Sequence, residues 1–292
     1  MNLAVSVSAA LAAGGTFAVS AVLQQRVAHA APDSASLRFR LLLDLLRRPL
    51  WLAGMASLIA GYCLQALALA FGTVSLVEPL VVTELVFALP LATRSEHRRP
   101  GRREWLGAGC VVGGVAMFLI GASPGGGHPD PEFVTWVLMI LPVAVVVAAL
   151  IAAARGPRSP RRAALLAAAA GISFGLLALF TKNITYLLKF GVTTVLSAWQ
   201  LYALIGIGVV SFLFAQSAYQ AASLQSSLPV IDALEPTVAV LLAAGAFGER
   251  ISHDAVSLTL EALGGAVALG GVFMLGRSSL VLSVYQPTDA AG

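Results

Sequence analysis

Nine stretches of the chain are apolar over about the 20 residues that a helix needs to cross a bilayer. Polar and charged residues are concentrated between these stretches. The pattern predicts transmembrane helices near residues 3–24, 50–71, 74–92, 105–122, 133–153, 163–181, 194–217, 227–248 and 257–276. The predicted fold class is therefore an all-α, polytopic membrane protein.

A further segment, residues 36–48, is apolar but short. It carries four arginines and one aspartate: Arg38, Arg40, Asp44, Arg47 and Arg48. We interpret it as an amphipathic helix lying at the membrane interface. If it crossed the bilayer instead, the number of transmembrane helices would be ten.

The two halves of the chain resemble each other at a fixed offset of 157 residues. The matching positions include Gly14 and Gly171, Phe17 and Phe174, Tyr62 and Tyr219, Glu78-Pro79 and Glu235-Pro236, and Gly113-Gly114 and Gly270-Gly271. The offset holds from about residue 12 to about residue 117, which is longer than any solenoid repeat.

This repetition predicts the domain organisation. We expect a first membrane repeat over residues 1–125, a connecting transmembrane helix within 126–156, a second repeat over 157–280 and a C-terminal tail over 281–292. Because a single helix joins two copies of about four helices each, the second copy is predicted to be inverted relative to the first. Inverted repeats are typical of secondary transporters, although scaffold proteins can also contain duplications.

Composition supports the bilayer as the solvent of this protein. The chain is 58% hydrophobic and 11% charged, whereas soluble domains carry about 25% charged residues. The net charge of +4 does not indicate nucleic-acid binding, because the basic residues lie in short runs between apolar segments. With nine spans most arginines fall on one side, so the positive-inside rule predicts an external N-terminus and a cytoplasmic C-terminus. The high Ala, Arg and Gly content is typical of a GC-rich bacterium, and we expect the cell membrane.

Four carboxylates lie within predicted spans, at Glu78, Glu84, Asp232 and Glu235. A charged side chain at the centre of a bilayer costs about 2.5–3.5 kcal/mol on the insertion scale. No lysine or arginine is predicted at a similar depth. These groups must therefore be protonated, hydrated in a cavity or matched by an exchangeable cation.

The repeated Glu-Pro pair is the strongest signal among them. Pro79 and Pro236 each remove a backbone N–H, which leaves a carbonyl oxygen near a carboxylate. Such oxygens suit Mg²⁺, Na⁺ or a proton, and Glu78 and Glu235 are candidate metal ligands. The alternative is a kinked helix whose glutamate caps a neighbour or faces the headgroups. Glu84 has the apolar Leu241 as its counterpart.

Uncharged polar residues accompany the acids. Gln216, Tyr219, Gln220 and Ser223 follow the spacing of one helical face, and Asp232 and Glu235 share another. Tyr62 and Gln65 lie three apart in the first half. Such stripes line a cavity or hold helices together, and the second role is commoner. For Gln24 and Gln25 we favour the membrane interface over a vestibule.

Several enzymatic signatures fail in this context. Gly171-Ile-Ser173-Phe-Gly175 matches the nucleophile elbow, but that motif requires a strand–turn–helix setting and here falls in an apolar helix. The four histidines are predicted to lie in loops. No phosphate-binding loop is present. We expect neither an enzyme nor a cofactor.

The segment from Leu234-Glu235-Pro236 to Gly248-Glu249, with the following Gly264-Gly265 and Gly270-Gly271, resembles the drug/metabolite transporter superfamily (EamA-like). Residues 68–79 (ALAFGTVSLVEP) and the lone helix at 133–153 look closest to its NIPA-type magnesium transporter branch. That branch usually has an acidic residue and an asparagine where this chain has Tyr62 and Gln65. The resemblance implies a transporter and makes Mg²⁺ a candidate substrate.

Taken together, the sequence predicts a secondary transporter of a small solute or cation that works by alternating access. The substrate- or cation-binding residues are predicted to be Glu78, Glu84, Asp232, Glu235, Tyr62, Gln65, Gln216, Tyr219 and Gln220. The alternatives are a proton-coupled exporter of amino acids, drugs or metabolites, and a non-transporting membrane scaffold or accessory subunit. The expected partners are the lipid bilayer, the solute and a coupling proton or cation. The oligomeric state is open, a homodimer included.

Overall fold

The computed structural model describes residues 3–30, 36–71, 80–94, 100–122, 131–247 and 255–276. Every regular element in these ranges is helical, so the predicted all-α class is confirmed. The α-helices are α1 (Leu3–His29), α2 (Phe39–Leu45), α3 (Pro49–Phe71), α4 (Glu84–Arg94), α5 (Arg102–Ala122), α6 (Phe133–Ala153), α7 (Pro160–Leu187), α8 (Val192–Ser197), α9 (Trp199–Ala221), α10 (Leu228–Phe247) and α11 (Ala255–Gly276).

Within the described ranges, five helices are long and apolar enough to cross a bilayer: α1, α6, α7, α9 and α11. This is four fewer than the nine predicted spans. Helix α6 shows what surrounds them, because Val134, Leu138, Leu141 and Val145 form an apolar stripe that is at least 60% exposed. Such a stripe on several helices requires lipid rather than water as its solvent. The protein is therefore an α-helical membrane protein.

The segment at 36–48 is too short to cross. Its helix α2 has seven residues, which gives a length of about 10 Å. Leu41 and Leu45 are buried, whereas Phe39 and Leu43 are 60% exposed. The backbone N–H of Leu37 donates to Ser217 Oγ over 3.1 Å, which fixes the start of the segment on α9. The alternative of a tenth crossing here is wrong.

The two halves use the same helix neighbours. In the first half α1 packs against α3 and α4, and in the second half α7 packs against α9 and α10. Helices α1 and α7 begin at residues 3 and 160, which are separated by the sequence offset of 157. The small residues at these crossings include Gly54 and Gly61 on α3, where added side-chain atoms would meet α1.

The closest helix pair joins the two halves through glycines. A Cβ placed on Gly114 of α5 would lie 2.4 Å from the backbone nitrogen of Ala268 and 2.6 Å from the carbonyl oxygen of Gly264. Near one end of this pair Gly107 faces Gly271, and near the other Gly121 faces residues 257–261. Contacts that ascend on α5 and descend on α11 mean that these helices are antiparallel. Glycine at these positions lets the backbones touch.

Candidate functional site

A cavity of about 610 Å³ lies between the two halves. Seven pairs of residues separated by the offset of 157 line it together: Phe17 and Phe174, Ser20 and Leu177, Ala21 and Ala178, Gln24 and Thr181, Leu58 and Ala215, Tyr62 and Tyr219, and Val82 and Ala239. The cavity therefore lies where the corresponding faces of α1, α3, α7 and α9 meet. Its size falls in the range of small-molecule sites.

Three of the four predicted membrane carboxylates line this cavity. Glu84 is the first residue of α4, and Asp232 and Glu235 lie on α10. The side chains of Glu84 and Asp232 are within hydrogen-bonding range of each other, and Glu235 is close enough for its charge to act on both. Since an ionised carboxylate can only accept hydrogen bonds, a bond between two carboxyl groups requires one of them to carry a proton.

Asp232 has capacity left for a ligand. Its Oδ2 atom is buried and has no hydrogen-bond partner in the described protein. Pro236 lies inside α10, and its missing N–H deprives the Asp232 carbonyl of the usual helical donor. Two oxygens of one residue thus lie beside the cavity without their normal partners. Asp232 and Glu235 line the same cavity, as their spacing predicts.

The two repeat-related tyrosines face this acidic group. Tyr219 is 7% exposed and lies within electrostatic reach of Glu84, Asp232, Glu235 and Tyr62. The Tyr62 ring meets Phe17 edge-on, with 5.1 Å between the ring centroids. Gln65 lines the cavity one turn after Tyr62. The structure therefore brings both polar residues of α3 to the predicted acids.

A series of side-chain hydrogen bonds links α3, α9 and α1 beside the cavity. Trp51 Nε1 donates to Gln216 Oε1 over 3.1 Å, and Gln216 Nε2 donates to Gln24 Oε1. Gln24 Nε2 in turn donates to Ser20 Oγ over 2.7 Å. The sequence favoured the membrane interface for Gln24. That interpretation is wrong, because the residue is 3% exposed and joins α1 to α9 inside the protein.

Two members of the predicted stripe on α9 do not reach the cavity. Gln220 is buried behind it, and its backbone carbonyl lies 3.1 Å from His29 Nδ1. Helix α9 ends at Ala221, so Ser223 is beyond the helix on which it was placed. His29 is the last residue of α1 rather than a loop residue. These groups tie the helix ends together.

Glu78 and Pro79 lie outside the described residues, so the predicted pairing of Glu78 with Glu235 does too. Among the residues that are described, no three His, Cys, Asp or Glu side chains are close enough to hold a metal ion. No arginine, lysine or histidine of the described chain lines the cavity. The site is acidic, and it holds no ready-made metal cage in this part of the chain.

Sequence reasoning missed the phenylalanines of the site, although it predicted Tyr62 and Tyr219. Phe17, Phe174 and Phe212 line the cavity, and Trp51 contacts Phe212 edge-on at 5.9 Å. The signal was present for the first two, because they are a repeated pair, but we took them only as a mark of duplication. Phe212 has no aromatic counterpart at Met55, so the repeat could not have indicated it.

Comparison with known proteins gives a relative but no activity. The chain is 32% identical over 242 residues to an uncharacterized protein of Corynebacterium glutamicum, across 82% of this chain and 84% of that protein. The chain belongs to the same family as this corynebacterial protein. No family model and no solved structure matches the present chain. Family membership assigns no substrate, so the chemistry of the cavity has to indicate one.

Proposed function

We propose that the protein is a secondary transporter that moves a small cationic solute across the cell membrane by alternating access. The observation that supports this most is the position of Glu84, Asp232 and Glu235, which share a cavity lined by both halves of a membrane protein. Carboxylates in such a place are costly, and they mark ion or solute paths. Secondary transporters place their sites at the interface between repeats.

The halves are proposed to be inverted repeats. On the offset of 157, Gly107 corresponds to Gly264 and Gly114 to Gly271. Gly107 faces Gly271, and Gly114 faces Gly264. Exchanging the halves therefore exchanges one contact for the other, which is the mark of a twofold relation. Because α5 and α11 are antiparallel, that axis lies in the membrane plane.

We further propose nine crossings with the N-terminus outside. Helices α3, α5 and α10 have 23, 21 and 20 residues, which is enough to cross. Of the remaining span, predicted at residues 74–92, the structure describes residues 80–92. This arrangement places the ends of α1 and α9, with Arg26 and Arg158, on the cytoplasmic side.

The packing of the two halves differs in one respect that suits alternating access. Helix α1 packs against α9, whereas the corresponding helices α7 and α3 form no comparable contact among the described residues. The cavity lies between α3 and α7 instead. On this proposal, the hydrogen-bonded side chains from Trp51 to Ser20 hold the cytoplasmic end closed. In the other state of the transporter, α3 and α7 would close.

Two substrate classes fit this proposal. The resemblance to the NIPA-type branch of the drug/metabolite transporter superfamily favours Mg²⁺, which usually keeps several waters and would bind through them here. A proton-coupled exporter of an organic solute is favoured by the hydrogen bond between Glu84 and Asp232, because two hydrogen-bonded carboxyl groups share a proton that a cation can displace.

Reconstitution into proteoliposomes tests the proposal. An internal Mg²⁺ dye and an internal pH dye would report uptake or proton exchange on addition of Mg²⁺, organic amines or amino acids. We expect one class of solute to give a flux, and Glu235→Gln to abolish it. Glu132→Gln, at an exposed position before α6, is the control and should leave the flux unchanged. Absence of flux with every solute, together with co-purifying partners, would indicate a scaffold and overturn the proposal.

A further inference from the structure

The walls of the cavity carry more information about the solute than the carboxylates do. Aromatic residues make up 8% of the chain, but five of the 24 described residues that line the cavity are aromatic: Phe17, Tyr62, Phe174, Phe212 and Tyr219. They come from α1, α3, α7 and α9, so four helices contribute rings to the lining. An inorganic ion gains little from such walls.

Aromatic faces combined with carboxylates suit one kind of ligand. The face of a ring carries negative charge and attracts a cation, and cages of rings bind ammonium groups that have lost their water. The carboxyl groups supply the countercharge on the α4 and α10 side, with the buried, unpartnered Oδ2 of Asp232 among them. The absence of basic side chains from the described lining disfavours anions.

The size and donor set disfavour a bare metal ion. A cavity of about 610 Å³ is far larger than one ion requires, and no three acidic, histidine or cysteine groups of the described residues converge as ligands. Ligand pockets for organic molecules are mostly apolar with a few placed polar groups. This cavity has that composition.

Resting on the proposed transport function, we infer that the substrate class is a monovalent organic cation, an alkylated ammonium compound bound between Tyr62, Phe174 and Tyr219 and neutralised by Asp232 and Glu235. The rings bind the alkylated nitrogen, and the carboxyl groups determine the charge. The repeat-related aromatic pairs give the ligand equivalent walls in both halves.

Binding to the purified, detergent-solubilised full chain tests this inference. Radiolabelled tetramethylammonium and tetraethylammonium are the probes, and MgCl₂ is the competitor at constant ionic strength. We expect saturable binding of at least one ammonium ion that MgCl₂ does not displace. Tyr219→Leu and Phe174→Leu should each raise Kd about tenfold, which corresponds to about 1.4 kcal/mol for one desolvated ring.

Two controls separate the rings from the fold. Tyr219→Phe keeps the ring and should raise Kd less than Tyr219→Leu does. Phe273→Leu removes an exposed ring on α11 and should change nothing. All variants must show wild-type elution and thermal unfolding, and either Leu variant suffices if the other fails to fold.

The outcomes distinguish this inference from the proposal beneath it. Binding and flux of Mg²⁺ without binding of either ammonium ion would overturn the organic-cation assignment and leave the transporter standing. Failure of both ammonium ions and Mg²⁺ to bind, with no flux in proteoliposomes, would overturn both. Ammonium binding that is equally strong in both Leu variants would also contradict the role of the rings.

Discussion

The contact between Glu84 and Asp232 determines what either residue can do. Glu84 is 9% exposed, and its carboxyl group faces that of Asp232. A glutamine at position 84 can still form a hydrogen bond with the Asp232 carboxyl group, but it cannot bind or release a proton. A leucine would leave the Asp232 carboxyl group buried without this hydrogen-bond partner. The two substitutions therefore separate proton chemistry from structural support.

We predict that Glu84→Gln folds with near wild-type stability and loses solute-driven proton release, as read by an internal pH dye in proteoliposomes. Glu84→Leu should lose the same activity and also be less stable by about 1–3 kcal/mol, because a buried polar group is left unsatisfied. Glu132→Gln serves as the matched control. Proton release that persists in Glu84→Gln would remove this residue from the coupling mechanism.

Gln216 allows a second prediction. It is fully buried, accepts from Trp51 and donates to Gln24. Gln216→Leu removes both bonds, and with about 0.6 kcal/mol for an average hydrogen bond in a membrane protein we expect a loss of about 1–2 kcal/mol in detergent-based thermal unfolding. Thr259→Val, at an exposed position on α11, removes a bond within its own helix and should be nearly neutral. If both substitutions lowered stability equally, the hydrogen bonds of Gln216 to Trp51 and Gln24 would have no special role in stabilising the fold.

The sequence indicated which acidic residues belong to the candidate site, but not which of them are most important in it. Glu235 stood out because its Glu-Pro pair is repeated, and Asp232 because it shares a helical face with Glu235. Glu84 looked less certain because its counterpart is Leu241, yet it contacts Asp232 directly. That contact joins residues far apart in the chain, and no local pattern indicates it. The amides were equally ambiguous, since Gln216 and Gln220 share one stripe and only Gln216 reaches the cavity.

At the scale of the helix, two neighbouring glycines have different roles. A Cβ on Gly114 would collide with the backbone of α11, whereas a Cβ on Gly113 meets nothing within 4 Å. The corresponding pair repeats this, because Gly271 faces the backbone around Gly107 and Gly270 faces open space. The sequence does not distinguish the two glycines of either pair. Only the structure shows that Gly114 and Gly271 are the ones at the helix contact.

We predict that Gly114→Ala destabilises the protein by about 1–3 kcal/mol, the usual cost of overpacking, because neither backbone can move away without separating α5 from α11. Gly113→Ala should be neutral or more stable by up to about 1 kcal/mol, since alanine favours a helix. Thermal unfolding in detergent measures both. If Gly113→Ala were the less stable of the two variants, α5 would pack through the face that carries Gly113.

Helix positions followed from hydropathy, but helix ends did not. The first repeat was expected to start with a helix at 3–24 and the second with one at 163–181, whereas α1 and α7 extend to His29 and Leu187. The extra turns carry polar residues such as Gln25 and Lys182 that an apolar window omits. The predicted span at 194–217 is instead divided by an extended residue, Ala198, between α8 and α9. Packing at the helix ends decides these bounds.

For the whole molecule, the contacts between α1 and α9 have no comparable counterpart between α7 and α3 in the described part of the chain. The missing contacts indicate what a second state of the transporter would look like. In the structure, Gln25 Nε2 donates to the Ala222 carbonyl, and His29 approaches the Gln220 carbonyl. Exchange of the repeats maps the first contact onto Lys182 and Gln65 and the second onto Tyr186 and Cys63. Those residues lie on α7 and α3, which the cavity separates here. An exchange of this kind would open the end of the cavity near α1 and α9 while closing the end near α3 and α7.

This exchange predicts a disulfide that the described state should not form. In a Cys110→Ala background, Tyr186→Cys provides a partner for the native Cys63. We expect copper–phenanthroline oxidation to join positions 63 and 186, as read by peptide mass spectrometry, and to stop flux until a reductant is added. Tyr202→Cys, on an exposed face of α9, should neither cross-link nor stop flux. If the thiols at positions 63 and 186 stay reduced while the protein transports solute, α3 and α7 do not close, and the two halves move by some route other than exchange of equivalent contacts.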